Sequence, residues 1–144
     1  MENRIVTVTL EDHYLAMAQS RQHQWMADLP VESGGDDQAP TPEELVMGTL
    51  GSCMAQTAKL YANRKGWQID KITVELSFER FSGKDYPGYD GDAPFVHEIR
   101  EHITVEGPLD DEQKARIVEI MGKCPIRRLI QSPAFFVEAT PQTE

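Results

Sequence analysis

The stretch from Thr41 to Gly66 constrains the fold of this chain more than any other part of the sequence. It predicts one long helix with both ends marked. Thr41 suits the N-cap, Pro42 suits the first helical position, and Glu44 completes a capping box. Gly66 provides the left-handed residue that commonly ends a helix. We therefore expect one continuous helix between these two boundaries.

This predicted helix is apolar over most of its length. No charged side chain lies between Glu44 and Lys59, and Cys53, one of two cysteines in the chain, lies near the middle. A helix that is apolar on nearly all sides is typically buried. One face is expected to carry Val46, Leu50, Cys53, Thr57 and Leu60, widened by Met47, Met54 and Tyr61.

Length and charge limit the classes of function. A chain of 144 residues fits a single domain over residues 1–144. Its net charge of -10 argues against nucleic acid or an anionic membrane as a partner. The longest uncharged run, residues 45–58, is too short to span a bilayer, and the first ten residues carry charges where a signal peptide needs an apolar core. We expect a cytoplasmic protein without a cofactor.

Alternating apolar residues predict the strands, and capping residues predict two further helices. Asp110, with Gln113 three residues later, is expected to start the second helix, and Gly122 to end it. Cys124-Pro125 is expected to start a short third helix. The predicted order is β-β-β-α-β-β-α-α-β, an α+β domain whose sheets wrap the central helix. The strands are predicted over residues 4–10, 14–19, 22–29, 69–81, 95–105 and 134–139, with a hairpin loop over 82–94.

The two cysteines are the candidate chemical groups, and each allows two interpretations. A thiol reacts as its thiolate. Cys53 lies within an apolar segment, where burial alone raises a thiol pKa, so it needs a cation from elsewhere or is a small core residue. Cys124 precedes Pro125 at a predicted helix start, with Arg127 and Arg128 in the first turn. That placement favours a thiolate on Cys124, unless Cys124 is only an N-cap and the arginines are solvated.

Two segments together resemble the OsmC/Ohr family of osmotically inducible and organic-hydroperoxide-resistance proteins. P-E-E-L-V-M-G-T-L-G-S-C-M-A-Q-T, residues 42–57, is similar to the helix that carries the family's first cysteine. L-D-D-E-Q-K-A-R-I-V-E-I-M-G-K-C-P-I, residues 109–126, is similar to its second-cysteine segment. The predicted element order also fits, so the resemblance extends over nearly the whole chain.

The resemblance implies a fold, a site and a reaction. The fold is an intertwined homodimer in which sheets from both subunits enclose two central helices. The site lies at the subunit interface and reduces organic hydroperoxides, with Cys53 as the attacking thiol and Cys124 as the resolving thiol. An external dithiol then restores both thiols. Glu43 matches the family's acidic residue that holds a catalytic arginine. Ten residues of helix span ~15 Å, so Glu43 would act on Cys53 only through a long partner side chain or a break in the helix.

The sequence departs from the family pattern at that arginine. The family places it in the first strand turn or in the loop before the helix, and neither segment contains an arginine here. Arg21, Arg127 and Arg128 are the candidates to replace it.

Two functions therefore follow as hypotheses. One is a thiol peroxidase that uses Cys53 and Cys124. The alternative is a non-enzymatic protein of the same fold that binds an apolar small molecule or senses redox state. The cysteine and histidine spacings match no zinc motif, and no metal is expected.

Overall fold

The structure is a computed structural model that describes residues 4–138. It divides into two compact units, and the division falls between Thr49 and Leu50. The helices and strands confirm the predicted α+β class. None of the helices within residues 4–138 combines the length and the apolar character that a membrane span requires.

The first unit contains a three-stranded antiparallel sheet. Strands β1 (Thr7–Thr9), β2 (Ala16–Ser20) and β3 (His23–Ala27) follow each other as a meander, with β2 in the centre. All three predicted strands are confirmed, and each is shorter than predicted. His13 lies in the first turn at φ 59° and Arg21 in the second at φ 53°. These two left-handed residues reverse the direction of the chain between the strands, so the extended conformation ends there.

A buried carboxylate organises the segment between the sheet and the central helix. Asp28 is only 2% exposed. Its Oδ1 accepts a hydrogen bond from the Leu29 amide at 2.7 Å, and its Oδ2 accepts one from the Gln38 amide at 3.0 Å. The Asp28 amide donates to the Pro40 carbonyl at 3.0 Å. The Gln38 bond is the main cause of a lowered Asp28 pKa. These bonds fix the loop that leads into the central helix.

The central helix α1 (Pro42–Lys65) has the predicted boundaries. The Thr41 hydroxyl accepts a hydrogen bond from the Glu44 amide at 3.2 Å, as an N-cap does. At the other end Gly66 has φ 70°, and the Trp67 amide donates to the Ala62 carbonyl at 2.9 Å. A left-handed glycine followed by such a bond ends a helix by satisfying one of its last carbonyls.

The burial of α1 differs from the prediction. The helix is not buried on all sides, since Val46 is 48% exposed and Leu60 is 65% exposed. The predicted face included both of them and also half-buried Cys53. The helix instead buries a narrow stripe at four-residue spacing, which includes two alanines. The prediction did not include the two alanines, whose small side chains let the neighbouring elements approach more closely. The stripe consists of Leu50, Met54, Ala58 and Ala62.

The second unit contains a long hairpin that covers one side of α1. Strands β4 (Lys71–Ser82) and β5 (Phe95–Glu106) pair antiparallel along their full length. Both strands are confirmed, and the loop between them includes a short 3-10 turn at Gly83–Asp85. A Cβ added to Gly51 of α1 would lie 3.3 Å from Leu76 Cδ1, so glycine allows β4 to pack closely there. The β4 side chains packed against the core are Ile72, Val74 and Leu76.

Two helices complete the second unit. Helix α2 (Asp111–Met121) begins with the predicted capping box of Asp110 and Gln113 and buries Ile117 and Met121. Helix α3 (Pro125–Gln131) begins after Cys124, as predicted, but none of its own residues is buried. The core of the unit contains nine buried residues, namely Leu50, Met54, Ala58, Ala62, Ile69, Val105, Ile117, Met121 and Cys124.

The predicted last strand, Ala134 to Ala139, is wrong for its described part. Residues 134–138 form no strand, and Ala139 lies outside the described residues. Phe135 and Phe136 are 89% and 101% exposed. The alternation of apolar residues is present, but a strand also needs a neighbouring strand to pair its backbone groups. No such neighbour lies beside residues 134–138 in the described chain.

Candidate thiol site

The two cysteines meet in the second unit. Cys53 comes from the middle of α1 and is half-buried, whereas Cys124 precedes α3 and is fully buried. The side chain of Cys53 is close enough to Cys124 to raise the pKa of its thiol, and both cysteines are free. Cys53 packs against the same core cluster that contains Cys124. The fold therefore places two reduced sulfurs next to each other at the edge of the core.

The local geometry of Cys124 is that of a helix cap. Its backbone is extended at φ -64° and ψ 147°, and its sulfur accepts a hydrogen bond from the Arg127 amide at 3.3 Å. Pro125 occupies the start of α3, where a missing N–H costs no hydrogen bond. The Cys124 sulfur thus takes the place that a serine or aspartate oxygen has in most caps.

Burial decides the protonation of Cys124. The thiol pKa is raised above its usual value of 9.0, first because burial disfavours the charged form. The Arg127 amide lowers this pKa, and the hydrogen bond and the charge of a neighbouring Cys53 thiolate raise it further. The expectation that the helix start lowers the pKa of Cys124 is therefore wrong, because burial outweighs the amide. Cys124 is therefore held in the protonated form at neutral pH.

The three candidate arginines have different surroundings. Arg127 Nη2 lies 3.1 Å from Glu101 Oε1, and both side chains are about one-third exposed. Arg128 is exposed on the next position of α3. Arg21 belongs to the first unit, at the turn after β2. Of the three, Arg127 is the one whose backbone contacts a cysteine sulfur.

Sequence reasoning missed Glu101. The residue lies on β5 opposite Leu76 and forms the ion pair with Arg127. The sequence does contain a signal for Glu101. Ile99, Glu101 and Ile103 alternate along one face of the strand, and both isoleucines pack on the core, so Glu101 occupies a position where an apolar residue is expected. A charged side chain in such a position needs a partner. The partner could not be identified from the sequence, because α3 and β5 meet only in the fold.

Glu43 lies in the first turn of α1 and is exposed. Helix α1 runs without a break from Pro42 to Lys65. Glu43 belongs to the unit that ends at Thr49, and its catalytic role stays a prediction.

Two cavities of the second unit lie elsewhere. One, of about 320 Å³, is lined by residues of β4 and β5, among them Glu75 and His102. The other, of about 460 Å³, lies beside α2 and is lined by Trp67 and Arg116 among others. Neither lining includes a cysteine. Within residues 4–138, no group of three or more histidine, cysteine or acidic side chains is arranged to hold a metal ion.

Comparisons with known proteins agree on one family. A family model described as OsmC-like protein matches residues 34–138. No curated protein matches the chain.

Solved structures with a similar fold come from several bacteria. An OsmC-like protein from Mycoplasma pneumoniae is 23% identical, with 90% of this chain and 88% of that chain covered and a TM-score of 0.71. An organic hydroperoxide resistance protein OsmC from Legionella pneumophila is 15% identical, with 91% and 90% covered and a TM-score of 0.66. An organic hydroperoxide resistance protein from Vibrio cholerae, with captopril bound in one of its active sites, is 17% identical, with 91% and 85% covered and a TM-score of 0.65.

The family model matches most of the chain and takes in both cysteines, the long central helix and the β4–β5 hairpin. The chain belongs to the OsmC-like protein family.

Proposed function

We propose that this protein reduces organic hydroperoxides with the thiols of Cys53 and Cys124. The observation that carries the proposal is that two free thiols lie together at the edge of the core, where Cys53 packs against the cluster that contains Cys124 and raises its pKa. Two proteins of similar fold, from Legionella pneumophila and Vibrio cholerae, are described as organic hydroperoxide resistance proteins. This likeness supports the same substrate class here.

In the first step, the thiolate sulfur of Cys53 attacks the terminal oxygen of the hydroperoxide. A sulfur–oxygen bond forms and the oxygen–oxygen bond breaks. The alkoxide leaves, takes up a proton from solvent and becomes an alcohol. Cys53 is oxidised to a sulfenic acid, and the peroxide is reduced.

In the second step, the sulfur of Cys124 attacks the sulfenic sulfur of Cys53. The disulfide bond forms, and the hydroxide of the sulfenic acid leaves as water with the proton of the Cys124 thiol. An external dithiol then reduces the disulfide by thiol–disulfide exchange and is itself oxidised to a disulfide. The cycle returns both cysteines to the free state.

The order of the two cysteines follows from their surroundings. The raised pKa of Cys124 keeps it protonated, so it suits the later step, and Cys53 is the more exposed of the two. A neutral Cys124 thiol can donate a hydrogen bond to the Cys53 thiolate.

Two further parts of the proposal come from the family resemblance. Glu43 is proposed to hold a cation near the attacking sulfur, as its counterpart does in that family. A homodimer is proposed to complete the site. Large exposed apolar side chains on the second unit support a second copy as their cover, among them Leu60, Leu129, Phe135 and Phe136.

Thiol titration tests the proposal directly. Fully reduced protein is mixed with a small excess of cumene hydroperoxide, and free thiols are counted before and after. We expect both thiols to disappear in one intramolecular disulfide, with the mass of the chain reduced by two hydrogens. Cys53→Ser should leave the peroxide unconsumed. Hydrogen peroxide at the same concentration is the control for substrate class.

Unchanged thiols in the wild-type protein would contradict the proposal. The alternative, a non-enzymatic protein that binds an apolar molecule or senses redox state, would then take its place. Peroxide consumption by Cys53→Ser but not by Cys124→Ser would reverse the roles of the two cysteines.

A further inference from the structure

Helix α3 holds Cys124 in place, although the helix itself has few attachments to the core. None of its residues is buried, and Leu129 is 68% exposed. Ile126 is partly buried against the core cluster, and Cys124 is fully buried just before the helix. A short helix with so little buried surface gains little stability from packing. Its position therefore depends on the few contacts at its start.

One of these contacts is the ion pair between Arg127 and Glu101. Glu101 lies on the core-facing side of β5, and its Oε1 is 3.1 Å from Arg127 Nη2. The guanidinium also lies close to Gly122, in the turn between α2 and α3. A Cβ placed on Gly122 would be 3.5 Å from Arg127 Nη1. The side chain of Arg127 thus connects α3 to the sheet and to the preceding turn.

The backbone of the same residue contacts the reactive site. The Arg127 amide donates to the Cys124 sulfur at 3.3 Å, and Cys53 packs against the core cluster that contains Cys124. A shift of Arg127 therefore moves the amide that orients the Cys124 thiol. Because the side chain is fixed by Glu101, the ion pair and the sulfur contact belong to one arrangement.

We propose that Glu101 and Arg127 are positioning residues, whose ion pair holds the start of α3 so that Cys124 stays buried against Cys53. The role in catalysis rests on the proposed peroxidase function. The role in burial of Cys124 does not. The ion pair acts through the backbone of Arg127 and takes no part in the chemistry itself.

Labelling of the two cysteines tests the burial part in the reduced full-length protein. Iodoacetamide modifies accessible thiols, and peptide mass spectrometry measures Cys53 and Cys124 separately. Glu101→Gln and Arg127→Gln should each raise the labelling rate of Cys124 roughly two- to fivefold, as expected for a partly exposed ion pair. The double variant should match the single variants, because each change breaks the same contact. Arg128→Gln, the neighbouring exposed arginine, is the matched control and should label like the wild type.

A general loosening of the second unit would give a different pattern of cysteine labelling. If Cys53 labelling rose by the same factor as Cys124 labelling, the variants would loosen the whole unit and the proposal would be overturned. Additive effects of the two changes, or an effect of Arg128→Gln as large as that of Arg127→Gln, would also overturn it. Rescue provides the positive test: the charge swap Glu101→Arg with Arg127→Glu should return the Cys124 rate towards that of the wild type.

Single-turnover kinetics test the catalytic part. After one equivalent of cumene hydroperoxide, Glu101→Gln should form the sulfenic acid on Cys53 at the wild-type rate and close the disulfide roughly two- to fivefold more slowly. Equal slowing of both steps would overturn the positioning role in catalysis. If the wild type consumes no peroxide, the proposed function fails, and the labelling rates alone decide whether the ion pair holds Cys124.

Discussion

The half-buried thiol of Cys53, from the middle of α1, lies beside the fully buried thiol of Cys124 at the cap of α3 and raises the pKa of Cys124. The two cysteines belong to helices that differ in how firmly they are packed. Helix α1 holds Cys53 on a well-packed element, whereas Cys124 depends on the start of a helix without buried residues. The position of the resolving thiol therefore depends on the contacts at the start of α3, among them the ion pair between Arg127 and Glu101.

Replacement of the resolving thiol should stop the cycle after the oxygen transfer. With Cys124→Ser, we expect one turnover per chain and a sulfenic acid on Cys53, which dimedone traps as a stable adduct. The reason is chemical, since the second sulfur is needed only after the peroxide bond has broken. Intact-mass spectrometry measures the adduct. An absence of adduct, with peroxide still consumed, would show that Cys53 does not receive the oxygen.

The stability of the protein should fall at alkaline pH because of Cys124. Its pKa is raised in the folded state, above the usual 9.0, mainly by burial. Below that value the thiol is protonated in both states, so its contribution is fully present. As the pH rises further, the unfolded chain loses the proton first, which lowers the free energy of the unfolded state, and folding stability declines.

Urea denaturation between pH 8 and pH 10 measures this effect. The wild type should lose more stability over this range than Cys124→Ser, whose hydroxyl does not titrate. Tyr86 also has a raised pKa, chiefly through its hydrogen bond to Glu98, but it is present in both proteins and its effect cancels. Parallel pH profiles for the two proteins would contradict the prediction.

Helix α2 offers a matched test of the core. Ile117 and Val118 are neighbours in sequence, but Ile117 is fully buried and Val118 is 41% exposed. Ile117→Ala should lower the free energy of unfolding by about 2–5 kcal/mol, because it removes buried methyl groups and leaves a cavity. Val118→Ala should cost less than about 1 kcal/mol. Urea denaturation compares the two, and equal losses would contradict the assignment of the core.

The local signals of the sequence were sufficient for most of the fold. The capping residues Thr41, Asp110 and Cys124 each accept the predicted backbone hydrogen bond, and Gly66 has the predicted left-handed conformation. Such signals are reliable because cap and turn geometry depends on residues a few positions apart. The strand order also followed from the alternation of apolar residues.

The site depended on contacts between distant segments, and there the sequence was insufficient. Burial of Cys124 is produced by α1, β5 and α2 together, so its raised pKa could not be inferred from the adjacent arginines. The partner of Arg127 is Glu101, which belongs to a strand that precedes α2. The predicted last strand is absent over the described residues 134–138 for the same reason, since alternation does not supply a neighbour for pairing.

The exposed apolar residues of the second unit lead to the last prediction, an obligate homodimer. Phe135, Phe136 and Val137 are nearly fully exposed in the described chain, and Leu60 and Leu129 are also mostly exposed. Soluble monomers rarely expose so many large apolar side chains together, and a second copy is the proposed cover. Sedimentation at micromolar concentration should give twice the chain mass of 16.3 kDa.

Substitution separates this dimer from unspecific association. Phe136→Asp places a charge where an apolar contact is expected, so it should shift the sedimentation equilibrium towards the monomer. Glu138→Gln, an exposed change two residues later, is the control and should leave the dimer intact. If the monomer forms, peroxide consumption by Phe136→Asp tests whether the second copy is needed at the Cys53–Cys124 site. A compact wild-type monomer at micromolar concentration would contradict the homodimer.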